Sequence, residues 1–172
     1  MNALFVLDKD TKTELSEDLK AKIYQIIGTK GYQIKTVELE KNDVAPCLGL
    51  DCFYCVDKHP MECVSKDAVY PIKKNIRKYD LTVFLTPVLF GHFPSCIKNA
   101  LDRGAGSHNW QIIIGCGNDI DDEEKNTFID LTAKHRGSKD VVHPGMDRRV
   151  DVYLTRSIED NTVICESLIN AR

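Results

Sequence analysis

Apolar and polar positions alternate along this chain in a regular order of short apolar runs and longer amphipathic segments. Five runs predict β-strands, at residues 3–7, 32–39, 81–85, 110–115 and 150–155. Three of them, 3–7, 81–85 and 110–115, are almost continuously apolar, which is typical of strands covered on both faces, whereas 32–39 alternates as an edge strand does. Helical spacing of apolar residues predicts helices at 14–27, 67–78, from Pro94 onward, at 120–134 and at 157–171.

This strand–helix alternation predicts a parallel sheet, because parallel strands need crossover connections and these are right-handed. We expect one domain over residues 1–172, a three-layer α/β/α sandwich whose five-stranded sheet has the flavodoxin-like order 2-1-3-4-5. In that order the loops after strands 1, 3 and 4 converge, at residues 8–13, 86–93 and 116–119. A ligand site is therefore predicted where these three loops meet.

The connection after the third strand is the most informative stretch. Pro87 cannot donate to a sheet ladder, so the strand is predicted to stop at Thr86 and Pro87. Gly91 permits a sharp change of direction, and Pro94 suits the first turn of a helix. A strand, a short loop and a helix in this arrangement are typical of the ligand-binding corner of an open α/β sheet.

Composition excludes several classes of protein. The net charge is −3 and 28% of the residues are charged, so a concentrated basic face for nucleic acid is not expected. No apolar run approaches the roughly 20 residues of a membrane span, and the apolar start is too short for a secretory signal. Seven cysteines without such a signal predict thiols in a reducing cytoplasm rather than disulfides. No cysteine is followed by five residues and an arginine, which excludes a low-molecular-weight phosphatase.

Two motifs carry a resemblance to a known family. The stretch 86–91 (TPVLFG), followed by Ser95, Lys98, Asp102 and Arg103, is similar to the SPVYF…S…LK…DR pattern of NAD(P)H-dependent FMN reductases. The upstream cysteines resemble the CxGCxxC…C segment of many members, including iron–sulfur flavoproteins. The resemblance implies an oxidoreductase that transfers hydride from NAD(P)H through FMN to a quinone, a flavin or another small acceptor. It also implies a homodimer.

The resemblance further implies which residues bind FMN. The backbone of the third-strand loop would run along the isoalloxazine with its N–H groups facing the polar edge of the ring, and the fourth-strand loop would contact the flavin. In the third-strand loop these residues are Thr86, Pro87, Val88, Leu89, Phe90 and Gly91, and in the fourth-strand loop they are Cys116, Gly117 and Asn118. No catalytic side chain is expected, because the cofactor carries the chemistry.

The loop after the first strand departs from the family pattern, since it lacks glycine. Lys9, Thr11 and Thr13 offer charge or hydroxyls to a phosphate, whereas Asp8 and Asp10 would repel it. The alternative is that these residues are helix caps and solvated turn residues. A flavodoxin-like module with a degenerate phosphate loop, acting as a non-enzymatic binding or metal-carrying protein, is accordingly the second functional hypothesis.

Four cysteines lie between the second strand and the following helix, at Cys47, Cys52, Cys55 and Cys63. Thiolates at this spacing could hold a 4Fe–4S cluster or a zinc ion. Two further alternatives are free thiols in a loop and a Cys52–Cys55 redox pair. Relative to the compact iron–sulfur spacing, Leu50 and Asp51 form a two-residue insertion.

Overall fold

The protein is described here by a computed structural model that covers residues 1–9, 12–47, 63–104, 110–137 and 149–170, with the backbone alone at 135–137. Five parallel strands form one sheet in the order β2-β1-β3-β4-β5, which confirms the predicted flavodoxin-like topology. The strands are β1 (Asn2–Asp8), β2 (Gln33–Leu39), β3 (Leu81–Pro87), β4 (Trp110–Cys116) and β5 (Val150–Thr155).

Within the described ranges, five α-helices cover the two faces of this sheet. They are α1 (Glu14–Thr29), α2 (Tyr70–Lys74), α3 (Ser95–Asp102), α4 (Asp122–Gly137) and α5 (Ile158–Asn170). Helices α2, α3 and α4 pack on one face, and α1 and α5 pack on the other. None of the helices within the described ranges is both long and apolar enough to cross a membrane.

Successive side chains of each central strand point to opposite faces of the sheet, so each strand contributes to both core layers. In β1, Leu4 and Val6 face the α2–α4 layer, while Phe5 and Leu7 face the α1–α5 layer. All seven residues of β3 are buried, as the continuous apolar run predicts. Strand β2 lies at the edge and keeps several exposed positions, which confirms the prediction from its alternating pattern.

The helix predicted at 67–78 is wrong in extent, because the structure has the short α2 and then a separate 3₁₀ turn at Ile76–Lys78. Asn75 explains the break. Its side-chain amide donates to the carbonyl of Pro71 at 2.9 Å, the acceptor that its own backbone N–H would use in a continuous helix. That N–H donates to Ile72 instead, at 3.1 Å.

The prediction that Thr86 and Pro87 stop the third strand is also wrong by two residues. Both remain paired with β4, Thr86 opposite Gly115 and Pro87 opposite Cys116. On the other side, the pairing of β3 with β1 ends at Leu85. Pro87 therefore lies beyond the last residue of β3 that pairs with β1, so its missing N–H disturbs no ladder between these two strands.

Candidate functional site

A cleft of about 410 Å³ opens at the carboxyl ends of β3 and β4, within the range of roughly 300–1,000 Å³ that small-molecule sites occupy. The three loops predicted to converge all contribute to its wall. The lining residues are Thr13, Ser16, Pro87, Val88, Leu89, Phe90, Cys116, Gly117, Asn118, Asp119, Ile120 and Glu124. The exposed surface of the cleft is mainly apolar, which suits a planar aromatic ligand.

A tight turn shapes the β3 side of the cleft. Leu89 and His92 exchange two backbone hydrogen bonds, both of 2.9 Å. The two residues between them have positive φ, 51° at Phe90 and 71° at Gly91, as a type I′ turn requires. A Cβ on Gly91 would lie 2.9 Å from a side-chain carbon of Thr127, so only glycine allows the turn to pack this closely on α4.

This turn corrects one expectation drawn from the family resemblance. The N–H of Val88 donates to the carbonyl of Cys116 at 3.1 Å, and the N–H of Leu89 donates to His92. Pro87 has no N–H to offer. Three of the residues expected to present backbone donors to the flavin therefore present apolar side chains to the cleft instead.

The β4 side of the cleft is a close-packed floor. Cys116 is 5% exposed, and burial raises the pKa of its thiol to about 12. At neutral pH Cys116 is a neutral thiol, which serves as a small apolar wall and not as a nucleophile or a metal ligand. The N–H of Gly117 donates to Thr155 at 3.1 Å, and a Cβ on Gly117 would lie 2.7 Å from Ile120.

The described residues Lys9, Lys12 and Thr13 of the loop after β1 are each engaged in an ion pair or a hydrogen bond. Thr13 caps α1, its hydroxyl accepting the N–H of Ser16 at 3.1 Å while Ser16 accepts the N–H of Thr13 at 3.0 Å. Lys9 forms an ion pair with Glu40 beyond the end of β2, and Lys12 does so with Glu38 at 3.1 Å. Asp10 and Thr11, the remaining residues of this loop, lie outside the described residues.

Of the residues predicted to bind FMN, eight line the cleft: Thr13, Pro87, Val88, Leu89, Phe90, Cys116, Gly117 and Asn118. Three others do not. Lys9 pairs with Glu40, Gly91 packs against α4, and Thr86 is buried behind the cleft beside Asp8. The wall also includes Asp119, from the loop 116–119 predicted to converge here, and three residues that the sequence reasoning missed, Ser16, Ile120 and Glu124. These residues follow the ends of β1 and β4 in the sequence, and this position could have indicated that they line the cleft.

The ends of the cysteine segment are tied together by an ion pair between Arg103 and Asp67. Arg103 also donates to the carbonyls of Ala45 at 3.2 Å and Ser65 at 3.1 Å. Its side chain is 1% exposed. Ala45 precedes Cys47 by two positions, and Ser65 follows Cys63 by two positions. The contacts of Arg103 with Asp67, Ala45 and Ser65, called the clamp below, therefore fix both boundaries of the segment.

The clamp alters the acidity of both partners. Burial alone would raise the pKa of the Asp67 carboxyl, but hydrogen bonds from Arg103 and from the N–H groups of Ala45 and Val69 lower that pKa below its usual 3.8. Burial alone would lower the pKa of Arg103, but its hydrogen bond with Asp67 raises it. Each group therefore holds the other in its charged form.

The described cysteines differ in their surroundings. Cys47 is exposed and Cys63 is buried, and both are free, while Cys52 and Cys55 lie outside the described residues. Cys96 is buried and donates its S–H to the Asp8 carboxylate at 3.2 Å. Among the residues that the structure describes, no three potential ligand side chains are grouped as a metal site.

The fold is flavodoxin-like, and a mainly apolar cleft lies at the carboxyl edge of its sheet. A model of the NADPH-dependent FMN reductase family matches residues 11–113, more than half of the chain. The chain therefore belongs to the NADPH-dependent FMN reductase family.

Individual proteins are similar at lower identity. An iron–sulfur flavoprotein of Archaeoglobus fulgidus is 27% identical over 73 residues, which cover 42% of this chain and 34% of that protein, so the chain spans about a third of its length. An NAD(P)H:quinone oxidoreductase from Methanothermobacter marburgensis has a TM-score of 0.66 at 11% identity, covering 99% of this chain and 96% of that one. An azoreductase from Bacillus anthracis str. Sterne has a TM-score of 0.57 at 14% identity, covering 98% and 97%. At these identities the two solved structures establish likeness of fold.

Proposed function

We propose that this protein is an FMN-dependent NAD(P)H oxidoreductase that passes electrons to a quinone, a flavin or another small acceptor. The observation that carries the proposal is the mainly apolar cleft at the ends of β3 and β4, lined by the two loops at which the family resemblance places the flavin ring. Membership of the NADPH-dependent FMN reductase family favours this enzyme over a non-enzymatic module. The named activities of the two solved structures agree with it.

The residues of the cleft fit the ring system of FMN. Pro87, Val88 and Leu89 would form one wall, and Cys116 and Ile120 would form another. When bound, FMN supplies the redox chemistry, accepting hydride equivalents and releasing electrons to the acceptor. The work of the chain is then to bind the ring and keep water from it, which explains how the cleft can act without a charged catalytic dyad.

An activity assay with a blocked cleft tests this function. Purified protein supplied with FMN, NADH or NADPH, and a quinone should oxidise the nicotinamide, and Leu89→Asp should lower that rate at least about tenfold by placing a carboxylate on the apolar wall. Ile169→Asp, at a residue 56% exposed on α5, is the matched control and should retain the rate. Wild-type protein without FMN-dependent oxidation of either nucleotide would contradict the proposal.

We also propose a homodimer that covers the mouth of the cleft. Phe90 is 94% exposed and its neighbour Leu89 is 47% exposed, so the turn presents two adjacent apolar side chains to solvent. Light scattering should give twice the 19.5 kDa chain mass. Phe90→Ser should shift the protein to monomer, while Ile169→Ser in the opposite helical layer should leave the dimer intact. A wild-type monomer at all concentrations would refute the dimer.

For the cysteine segment we propose free thiols, and with them a reducing cytoplasmic location. Cys47 and Cys63, its two described members, are both free. The iron–sulfur alternative is supported by the name of the Archaeoglobus relative. Iron and acid-labile sulfide in anaerobically purified protein distinguish the two, since a 4Fe–4S cluster requires both at stoichiometric amounts.

A further inference from the structure

We propose that the cleft recognises a flavin by its ring system and not by its 5′-phosphate, so that riboflavin is bound about as tightly as FMN. The inference rests on the proposed function, because it concerns the flavin that the cleft would hold. Its basis is the start of α1, the helix N-terminus that faces the cleft and that would be the natural receptor for a phosphate.

The lysines around this helix start are already engaged. Lys9 pairs with Glu40. Lys12 contacts both carboxylate oxygens of Glu38, at 3.1 and 3.2 Å, and Lys20 pairs with Glu17 at 2.5 Å. Each of the three cations would have to leave a carboxylate in order to neutralise a phosphate, so the pairing reduces the electrostatic gain that a phosphate normally obtains.

The two described hydroxyl groups at the same place, those of Thr13 and Ser16, are committed as well. Ser16 donates to the carbonyl of Thr13 at 2.9 Å and accepts the N–H of Thr13 at 3.0 Å. Thr13 in turn accepts the N–H of Ser16 at 3.1 Å. This capping box satisfies a backbone donor of the first turn that would otherwise be available to a bound anion.

Negatively charged side chains near the start of α1 and in the cleft further disfavour a bound phosphate. Glu14 and Glu17 lie in the first turn of α1, where they complement the helix dipole in place of a phosphate. Asp119 and Glu124 line the cleft itself, and its described lining contains no lysine or arginine. A phosphate monoester, with nearly two negative charges at neutral pH, would meet the carboxylates of Asp119 and Glu124 in the cleft, with Glu14 at the start of α1 nearby in sequence.

The isoalloxazine ring, in contrast to the phosphate, would contact apolar residues of the cleft. Pro87, Val88, Leu89 and Ile120 give the cleft an apolar wall that contacts a flavin equally well with or without the phosphate. Burial of apolar surface is the dominant favourable term for such a ligand. Because riboflavin and FMN share the isoalloxazine and the ribityl chain, this contribution is the same for both.

Fluorescence titration of the purified protein with riboflavin and with FMN at low ionic strength tests the inference. The two dissociation constants should agree within about threefold, whereas FMN binding about a hundredfold tighter than riboflavin would overturn it. Failure to bind either flavin would instead refute the proposed function, so the two failures are distinguishable.

A gain of affinity provides the second test. Glu38→Gln combined with Glu40→Gln releases Lys12 and Lys9, and should tighten FMN binding by about fivefold or more without changing riboflavin binding. Glu159→Gln combined with Glu166→Gln removes the same net charge from α5 and should change neither. Equal tightening of both flavins, or no change for FMN, would show that the paired lysines do not govern phosphate recognition.

Discussion

Replacing Arg103 by methionine is expected to lower the free energy of unfolding by about 3–5 kcal/mol, because it leaves the Asp67 carboxylate partly buried without its cation. Arg103 is 1% exposed on its side chain, and its guanidinium holds two backbone carbonyls besides Asp67. Urea unfolding of wild type and variant at neutral pH measures the difference directly.

Two further variants separate the ion pair from general damage. Arg77→Met changes an exposed arginine of the 3₁₀ turn and should cost well under 1 kcal/mol. The double variant Arg103→Met with Asp67→Asn removes the uncompensated charge and should recover part of the loss. A loss for Arg103→Met no greater than that of Arg77→Met would show that the clamp contributes little to stability.

The same pair predicts a dependence of stability on pH. The pKa of Asp67 is lowered in the folded protein below its usual 3.8, so the folded state binds fewer protons than the unfolded state in that range. Its contribution to stability is therefore complete above that ordinary value and is lost as the pH falls through the folded pKa. Asp67→Asn should flatten the acid limb of a plot of unfolding free energy against pH, and an unchanged limb would contradict this assignment.

Replacing Gly115 by alanine is expected to lower the free energy of unfolding by about 1–3 kcal/mol through overpacking of the cleft floor. A Cβ at this position would lie 2.6 Å from Cγ2 of Val88 and 2.9 Å from the ring of Phe128. Val88 is β-branched and stiff at χ1, and Phe128 is 1% exposed, so neither can move cheaply. Because Val88 also lines the cleft, flavin affinity should fall together with stability.

Gly28 offers a matched control in the same chain. It lies inside α1, and a Cβ there would meet nothing within 4 Å. Gly28→Ala should therefore stabilise the protein by about 0.5–1 kcal/mol through helix propensity and reduced freedom of the unfolded chain. If Gly115→Ala behaved like Gly28→Ala in urea unfolding, the close packing beneath the cleft would be refuted.

The sequence predicted the sheet well because burial on both faces leaves a strong pattern. The runs at β1, β3 and β4 are apolar since α-helices cover both faces, and β2 alternates since it is an edge. The prediction failed at two element ends, where a single side chain or the end of a strand pairing sets the boundary. The end of α2 depends on the amide of Asn75, and the last residues of β3 depend on where its pairing with β1 ends.

The sequence predicted which loops come together at the cleft, but it did not predict which charged side chains pair with one another. Converging loops follow from strand order, which correctly brought Val88 and Asn118 to one cleft. The lysines of the first loop were candidates for phosphate, but their pairing with Glu38 and Glu40 joins residues that are about 30 positions apart. No local pattern encodes such a partner, so the pairing of Lys9 and Lys12 became visible only in three dimensions.

The central claim is that this cleft binds a flavin that NAD(P)H reduces, and an anaerobic titration tests it most directly. Protein loaded with FMN is separated from free flavin and titrated with NADH or NADPH while the long-wavelength flavin absorbance is followed. The absorbance should bleach fully at about one nicotinamide per bound flavin. Protein that retains no flavin, or bound flavin that neither nucleotide bleaches, would contradict it.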